Sequence, residues 1–167
     1  MKNLITARLS FCEIKCTDAK FIREILNQPG YLPHIGDREV RTIEQAEETI
    51  TEKFAYSSEG FGFYLMQRRD DDEVVGFAGI VDRDFLDTPD IGYALLQRHE
   101  GNGYATEAAS AILDHARTSM QLKRVGAIIS TGNDRSISVV QRIGMKFLKQ
   151  VQYPDEQELV NSYIIES

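Results

Sequence analysis

Apolar residues recur along this chain with two different periods, and the switches between them mark out predicted strands and helices. Leu9 and Phe11 share one face of a predicted strand over residues 7–14. Ala19, Ile22, Ile25 and Leu26 then fall at helical spacing, with Thr17 in place to cap the helix and Pro29-Gly30 to stop it. Residues 31–41 are rich in turn formers and aromatics and read as a loop. A second helix opens at Thr42, where Gln45 completes a capping box, and sets Ile43, Ala46, Ile50 and Phe54 on one side.

The middle of the chain changes character. Residues 61–67 and 74–81 are apolar and β-prone, and the acidic turn Asp70-Asp71-Asp72 joins them as a hairpin. Another strand covers 91–96. From 104 to 120 the period lengthens, and Ala105, Ala108, Ala109, Ile112 and Ala116 make a small-residue face able to lie close on a sheet. A short buried strand at 125–129, a helix at 136–143 stopped by Gly144, and strands at 145–153 and 158–165 complete the chain. The order β-α-α-β-β-β-α-β-α-β-β predicts an α/β fold around one mixed sheet. No repeat, low-complexity tract or linker interrupts residues 1–167, which are expected to form one domain.

Composition narrows the function classes. The chain is 42% hydrophobic and 27% charged, ordinary for a globular protein and too apolar for a disordered one. A net charge of −7 argues against nucleic acid as a partner and is compatible with a cationic acceptor such as an amine. Cys12 and Cys16 lack the second Cys or His pair of a zinc site, so no metal is expected and both read as buried or half-buried thiols. No apolar run has the length of a signal peptide or membrane span, so a cytoplasmic protein without a membrane partner is expected.

The candidate chemistry lies in Leu95-Leu96-Gln97-Arg98-His99-Glu100-Gly101-Asn102-Gly103-Tyr104-Ala105, where a strand runs into a two-glycine turn that opens a long helix. Glycines let backbone N–H groups approach a ligand closely, and the helix start adds unpaired donors and a partial positive charge. Together they form a socket for phosphate or pyrophosphate, with Arg98 adding a full charge at its rim. A P-loop is excluded because Tyr104 and Ala105, not Lys and Ser/Thr, follow Gly103. A Rossmann turn is disfavoured by Thr106 at the third glycine position and by Ser130-Thr131-Gly132 where an acidic residue belongs.

Arg98-His99-Glu100-Gly101-Asn102-Gly103 resembles motif A of the GNAT superfamily of acyl-CoA-dependent N-acetyltransferases, Arg/Gln-x-x-Gly-x-Gly/Ala. Asp90-Ile91-Gly92-Tyr93, Tyr104-Ala105-Thr106-Glu107-Ala108, Asn133-Asp134-Arg135-Ser136 and Arg142-Ile143-Gly144-Met145 extend the likeness. Thr6-Ala7-Arg8-Leu9 with Asp18-Ala19 is similar to the ribosomal-protein N-acetyltransferase (RimJ/RimL-like) branch. The resemblance implies a GNAT-type, mostly antiparallel sheet flanked by helices, with acetyl-CoA as cosubstrate and an amine-bearing acceptor, a peptide N-terminus or a small molecule. Pantetheine would lie between the strand ending at Leu96 and that at 125–129, bonded to backbone near Leu95, with pyrophosphate on Gly101, Asn102, Gly103, Tyr104 and Ala105. Asn133 and Ser136 would face the coenzyme too.

Direct attack needs a group to take the amine's proton and another to protonate the departing thiolate. Asp90 is the candidate base, or else an exposed residue at the start of its strand. Ser136 is the candidate acid, or else a plain helix cap. The tyrosine that many GNATs carry on the last helix is missing, since the stretch reads Ser138-Val139-Val140-Gln141. His99 is expected to face solvent, His115 to lie at or near the surface, and His34 to sit in the wall on the acceptor side. A non-catalytic acetyl-CoA-binding module, and an enzyme acting on polyamines, amino acids or aminoglycosides, stay open as alternatives. The protein is expected to be a monomer or a homodimer.

Overall fold

Alternating and helical segments meet in one seven-stranded sheet in the computed structural model, which describes residues 4–54, 60–154 and 159–166. The elements run β1 (Leu9–Glu13), α1 (Ala19–Leu26), α2 (Leu32–Ile35), α3 (Ile43–Thr49), β2 (Gly62–Arg68), β3 (Val74–Val81), β4 (Asp90–Leu95), α4 (Tyr104–Thr118), β5 (Arg124–Ser130), α5 (Asp134–Arg142), β6 (Lys146–Gln152) and β7 (Leu159–Glu166). The sheet order is β1-β2-β3-β4-β5-β7-β6, and every neighbouring pair is antiparallel except β4 with β5. This is the expected mixed, mostly antiparallel α/β arrangement.

Three local expectations change. Thr17 does not cap α1: Asp18 reaches back to the Lys15 N–H at 2.7 Å, and Cys16–Asp18 winds as a 3-10 turn ahead of the helix. Residues 31–41 are not all loop, because Pro33 near the start of α2 favours one helical turn there. Cys12 is half-buried as expected, whereas Cys16 is exposed. The capping box at Thr42 forms as read, with Gln45 N donating to Thr42 Oγ1 at 3.2 Å and Thr42 N to Gln45 Oε1 at 3.0 Å. Beyond α3 the chain continues as a π-helical turn, Ile50–Phe54. Glu158, where the sequence reading begins the last strand, lies outside the described residues.

Two helical layers enclose the sheet. On one face α4 lays Ala108, Ala109, Ile112 and Ala116 on Tyr64, Met66, Val75, Ala78 and Ile80. On the other, Ile22 and Ile25 of α1 and Ala46 of α3 pack with Phe54, Phe77, Ala94 and Leu96. The alanines let α4 sit close to the sheet, which fixes the height of its first turn relative to β4. Ala109→Leu is expected to overpack this contact and cost about 1–3 kcal/mol. Ala111→Leu, on a half-buried position of the same helix, should change little. Urea unfolding midpoints of the two variants check the difference.

Candidate active site

Gly101 and Gly103 both lie in the left-handed region, at φ of 78° and 80°. A Cβ on Gly101 would point into open space, so its glycine serves conformation rather than clearance. Behind Gly103 the α4 ladder begins with Glu107 N bonding Gly103 O at 3.1 Å, which leaves the N–H groups of Tyr104, Ala105 and Thr106 without intrahelical acceptors. Asn102 uses its side-chain amide to close the turn, donating to His99 O at 3.1 Å and Glu100 O at 3.2 Å.

Arg8 underpins this turn and escaped the sequence reading as a site residue. Its guanidinium donates to Asn102 O at 2.8 Å, lies 4.7 Å over the buried Tyr104 ring, and pairs with Glu107 at 2.6 Å. Glu107 also accepts from Thr6 Oγ1 at 2.6 Å and from the Arg8 N–H at 2.8 Å. Two expectations are corrected. His99 does not face solvent: the 3-10 turn Gln97–His99 carries its ring inward, where Nε2 lies 3.0 Å from Glu73 Oε1. Arg98 is not a bare rim charge, since Glu24 at 2.6 Å and Glu73 at 3.6 Å already answer it.

Strands β4 and β5 part almost at once. A single register pair, Asp90 with Gly126, joins them, braced by Gly126 N donating to Pro89 O at 2.8 Å. Leu96 N bonds Val75 O on the β3 side, so ladder alternation turns the backbone groups of Tyr93 and Leu95 toward the gap. Gln28 closes the far end, donating to Leu95 O at 2.7 Å and accepting from Gln97 N at 2.9 Å. Leu96 itself turns away, its side chain packed with α1 and α3.

The gap opens into a cavity of about 470 Å³ that brings Asp90, Asn133, Ser136 and His34 to one wall system. Asp90 is only 1% exposed and pairs with Arg83 at 2.8 Å. Burial pushes its pKa up to about 6, against the opposing pull of Arg83. Asn133, not Ser136, caps α5, accepting from Ser136 N at 3.1 Å. The Ser136 hydroxyl is thereby released from capping. Tyr93, whose burial raises its pKa to about 12, donates to the Ser136 carbonyl at 3.4 Å and holds that first turn over the gap. His34 Nδ1 lies 3.4 Å from Ser130 Oγ. His115 is half-buried on α4, away from the cavity lining.

Residues 8–146 match the acetyltransferase (GNAT) domain family. The chain belongs to that family. It is 36% identical over 95 residues to the Bacillus subtilis protein YkkB, a match spanning 56% of this chain and 55% of that protein. It is 26% identical over 156 residues to a ribosomal-protein-serine acetyltransferase of Escherichia coli, covering 90% of this chain and 82% of the relative. An acetyltransferase structure from Agrobacterium tumefaciens superposes with a TM-score of 0.83 at 23% identity, covering 100% of this chain and 95% of that one, and shares the fold. This GNAT protein is therefore an enzyme, an acetyl-CoA-dependent N-acetyltransferase. The glycine turn, the bare helix start and the splayed strands fit the pyrophosphate and pantetheine of that cosubstrate. Among the described residues no helix is long and apolar enough to cross a membrane, and no group of three His, Cys, Asp or Glu could hold a metal ion.

Gly103→Val forces a β-branched residue into the left-handed region at a cost of about 1–2 kcal/mol and crowds the helix start. Its acetyl-CoA affinity is expected to fall by roughly tenfold or more, a change of at least about 1.4 kcal/mol. Calorimetric titration of the folded variant checks this.

Proposed function

We propose that this GNAT enzyme acetylates α-amines at peptide or protein N-termini, and that Asp90 takes the proton the amine must lose. The state of Asp90 carries the reading. It is the one carboxylate among the described residues lining the cavity, and its pKa of about 6 makes it a modest base. Moving a proton to it from a peptide α-amine of pKa near 8 is uphill by about 2 units, roughly 3 kcal/mol. For a lysine or polyamine amine near 10.4 the gap is about 4 units, roughly 6 kcal/mol. The name of the E. coli relative, a ribosomal-protein-serine acetyltransferase, and the likeness of Thr6-Ala7-Arg8-Leu9 to the RimJ/RimL-like branch support the same choice.

In the proposed reaction the neutral amine attacks the thioester carbonyl, forming a C–N bond while the oxygen takes the negative charge. Collapse of that intermediate breaks the C–S bond. The ammonium's first proton goes to Asp90, directly or through water, which gives the neutral nucleophile. The Ser136 hydroxyl then protonates the leaving thiolate and recovers a proton, through water, from the nitrogen as it becomes the amide. Tyr93 fits a positioning role, because a phenol with a pKa of about 12 keeps its proton and holds Ser136 by hydrogen bonding. Pantetheine would pair with the backbone of Tyr93 and the Leu95 N–H in the gap, and pyrophosphate would rest on Gly101 to Ala105.

The ionised carboxylate is the working form, so kcat/KM for a peptide acceptor should rise with pH through an apparent pKa near 6. Asp90→Asn should remove that acidic limb and lower kcat by about a hundredfold to ten-thousandfold. Its acetyl-CoA affinity should stay nearly intact. Thiol release followed from pH 5 to 9 tests this; a loss below about threefold throughout would make Asp90 structural. In competition, peptides with free N-termini are expected to outrun spermidine and free lysine in specificity constant.

A further inference from the structure

The described cavity walls reverse the charge of the chain. Acidic residues outnumber basic ones 26 to 19 overall, yet Arg38, Lys53 and Arg83 line the cavity against the single carboxylate of Asp90. The ion pair at 2.8 Å matches Arg83 with Asp90. Arg38 and Lys53 remain without a carboxylate partner among the described residues. Of the two acidic neighbours of Arg38 in sequence, Asp37 is held by Arg41, and neither Asp37 nor Glu39 forms an ion pair with Arg38.

Arg38 is also part of a cluster. Its guanidinium lies near enough to the buried Tyr31 hydroxyl to oppose the upward push of burial on that phenol's pKa, and Arg83 and Tyr153 act on the same hydroxyl, with Arg83 Nη1 donating to Tyr153 Oη at 3.3 Å. The rim thus offers a planar guanidinium beside two phenols. A guanidinium binds carboxylates and phosphates through paired N–H donors, and phenol O–H groups add further donors. A polycation placed here would meet two positive charges that no carboxylate among the described residues answers. An acceptor with an anionic group near its amine would be matched at both ends, its amine at Asp90 and its anion at Arg38.

We propose that the acceptor carries an anionic oxygen group, a carboxylate or phosphate, a few bonds from the reacting amine, and that Arg38 with the hydroxyls of Tyr31 and Tyr153 binds it. This rests on the amine-acetylating role assigned to the same cavity and narrows the α-amine class to acidic members.

The test uses matched acceptors that differ only in the anion: Asp-Ala amide against Asn-Ala amide, alanine against alaninamide, and phosphoethanolamine against ethanolamine. The three arms separate a side-chain carboxylate, an α-carboxylate and a phosphate. The anionic member of at least one pair is expected to lead by roughly tenfold or more in kcat/KM, about 1.4 kcal/mol. Arg38→Ala should abolish that lead by raising the acceptor KM while the acetyl-CoA KM stays put, and Arg38→Lys should keep part of it. Calorimetry on the CoA-loaded enzyme with the acetylated product of each pair member reads the same preference without turnover. Equal binding of anionic and neutral products throughout, or a preference that survives in Arg38→Ala, overturns the proposal. Absence of thiol release with every peptide would instead remove the α-amine reading, while the product titration still decides the anion site.

Discussion

One backbone contact governs the layout of the active site. Asp90 and Gly126 form the only register pair between β4 and β5, and past it the strands separate. Buried backbone donors and acceptors left without partners are expensive, so a splay in the middle of a sheet persists only where something else meets those groups. At the top, Pro89 accepts from Gly126 and pins the divergence point. At the bottom, Gln28 takes the Leu95 carbonyl and the Gln97 N–H at once. Between these pins the Tyr93 groups and the Leu95 N–H face the gap, at the spacing of a missing strand. An extended amide-containing chain such as pantetheine has the donors and acceptors to replace it.

The glycine turn depends on contacts from far away. Its dihedrals come from Gly101 and Gly103, but its position comes from Arg8 and Glu107, which tie the first strand's approach to the start of α4. Glu107 near a helix start also sits favourably in the helix dipole. Arg98, the cation nearest the turn in sequence, is shared between Glu24 and Glu73. A pyrophosphate resting here would therefore meet chiefly oriented N–H groups, with side-chain charge spent on holding the frame.

What the sequence made legible follows the range of the interactions involved. The core stripe of α1, the capping box at Thr42 and β3 at Val74–Val81 depend on neighbours within a few residues, and each was readable. The burial of Asp90 was not, because Arg83 and the walls of its cavity come from separate segments of the chain. His99 was misread for the same reason: its partner Glu73 is 26 residues away. Thr17 failed as a cap because it lies inside the 3-10 turn Cys16–Asp18, which Asp18 closes by accepting from Lys15 N–H, and so it does not stand ahead of the helix. Ser136 could equally have been a cap or a free hydroxyl, and only the placement of Asn133 separates the two.

Asp90 also shows how the fold and the reaction pull against each other. Its folded pKa of about 6 stands above the ordinary 3.8, so the folded chain holds the proton more tightly than the unfolded chain does. By linkage, the stabilisation this gives is complete below pH about 3.8, shrinks as pH rises, and is gone above about 6. A base, however, works only once it is ionised, which happens as that stabilisation disappears. Arg83 limits the conflict, because its guanidinium at 2.8 Å offsets part of the desolvation and keeps the pKa from climbing further. Without Arg83 the pKa would climb further and less of the carboxyl would be ionised at neutral pH. With Arg83 in full contact and no burial, its pKa would drop toward the ordinary carboxylate range and it would hold a proton even less well. The compromise leaves a carboxylate that is charged at neutral pH yet more basic than an ordinary one, which is what the proposed proton transfer asks of it.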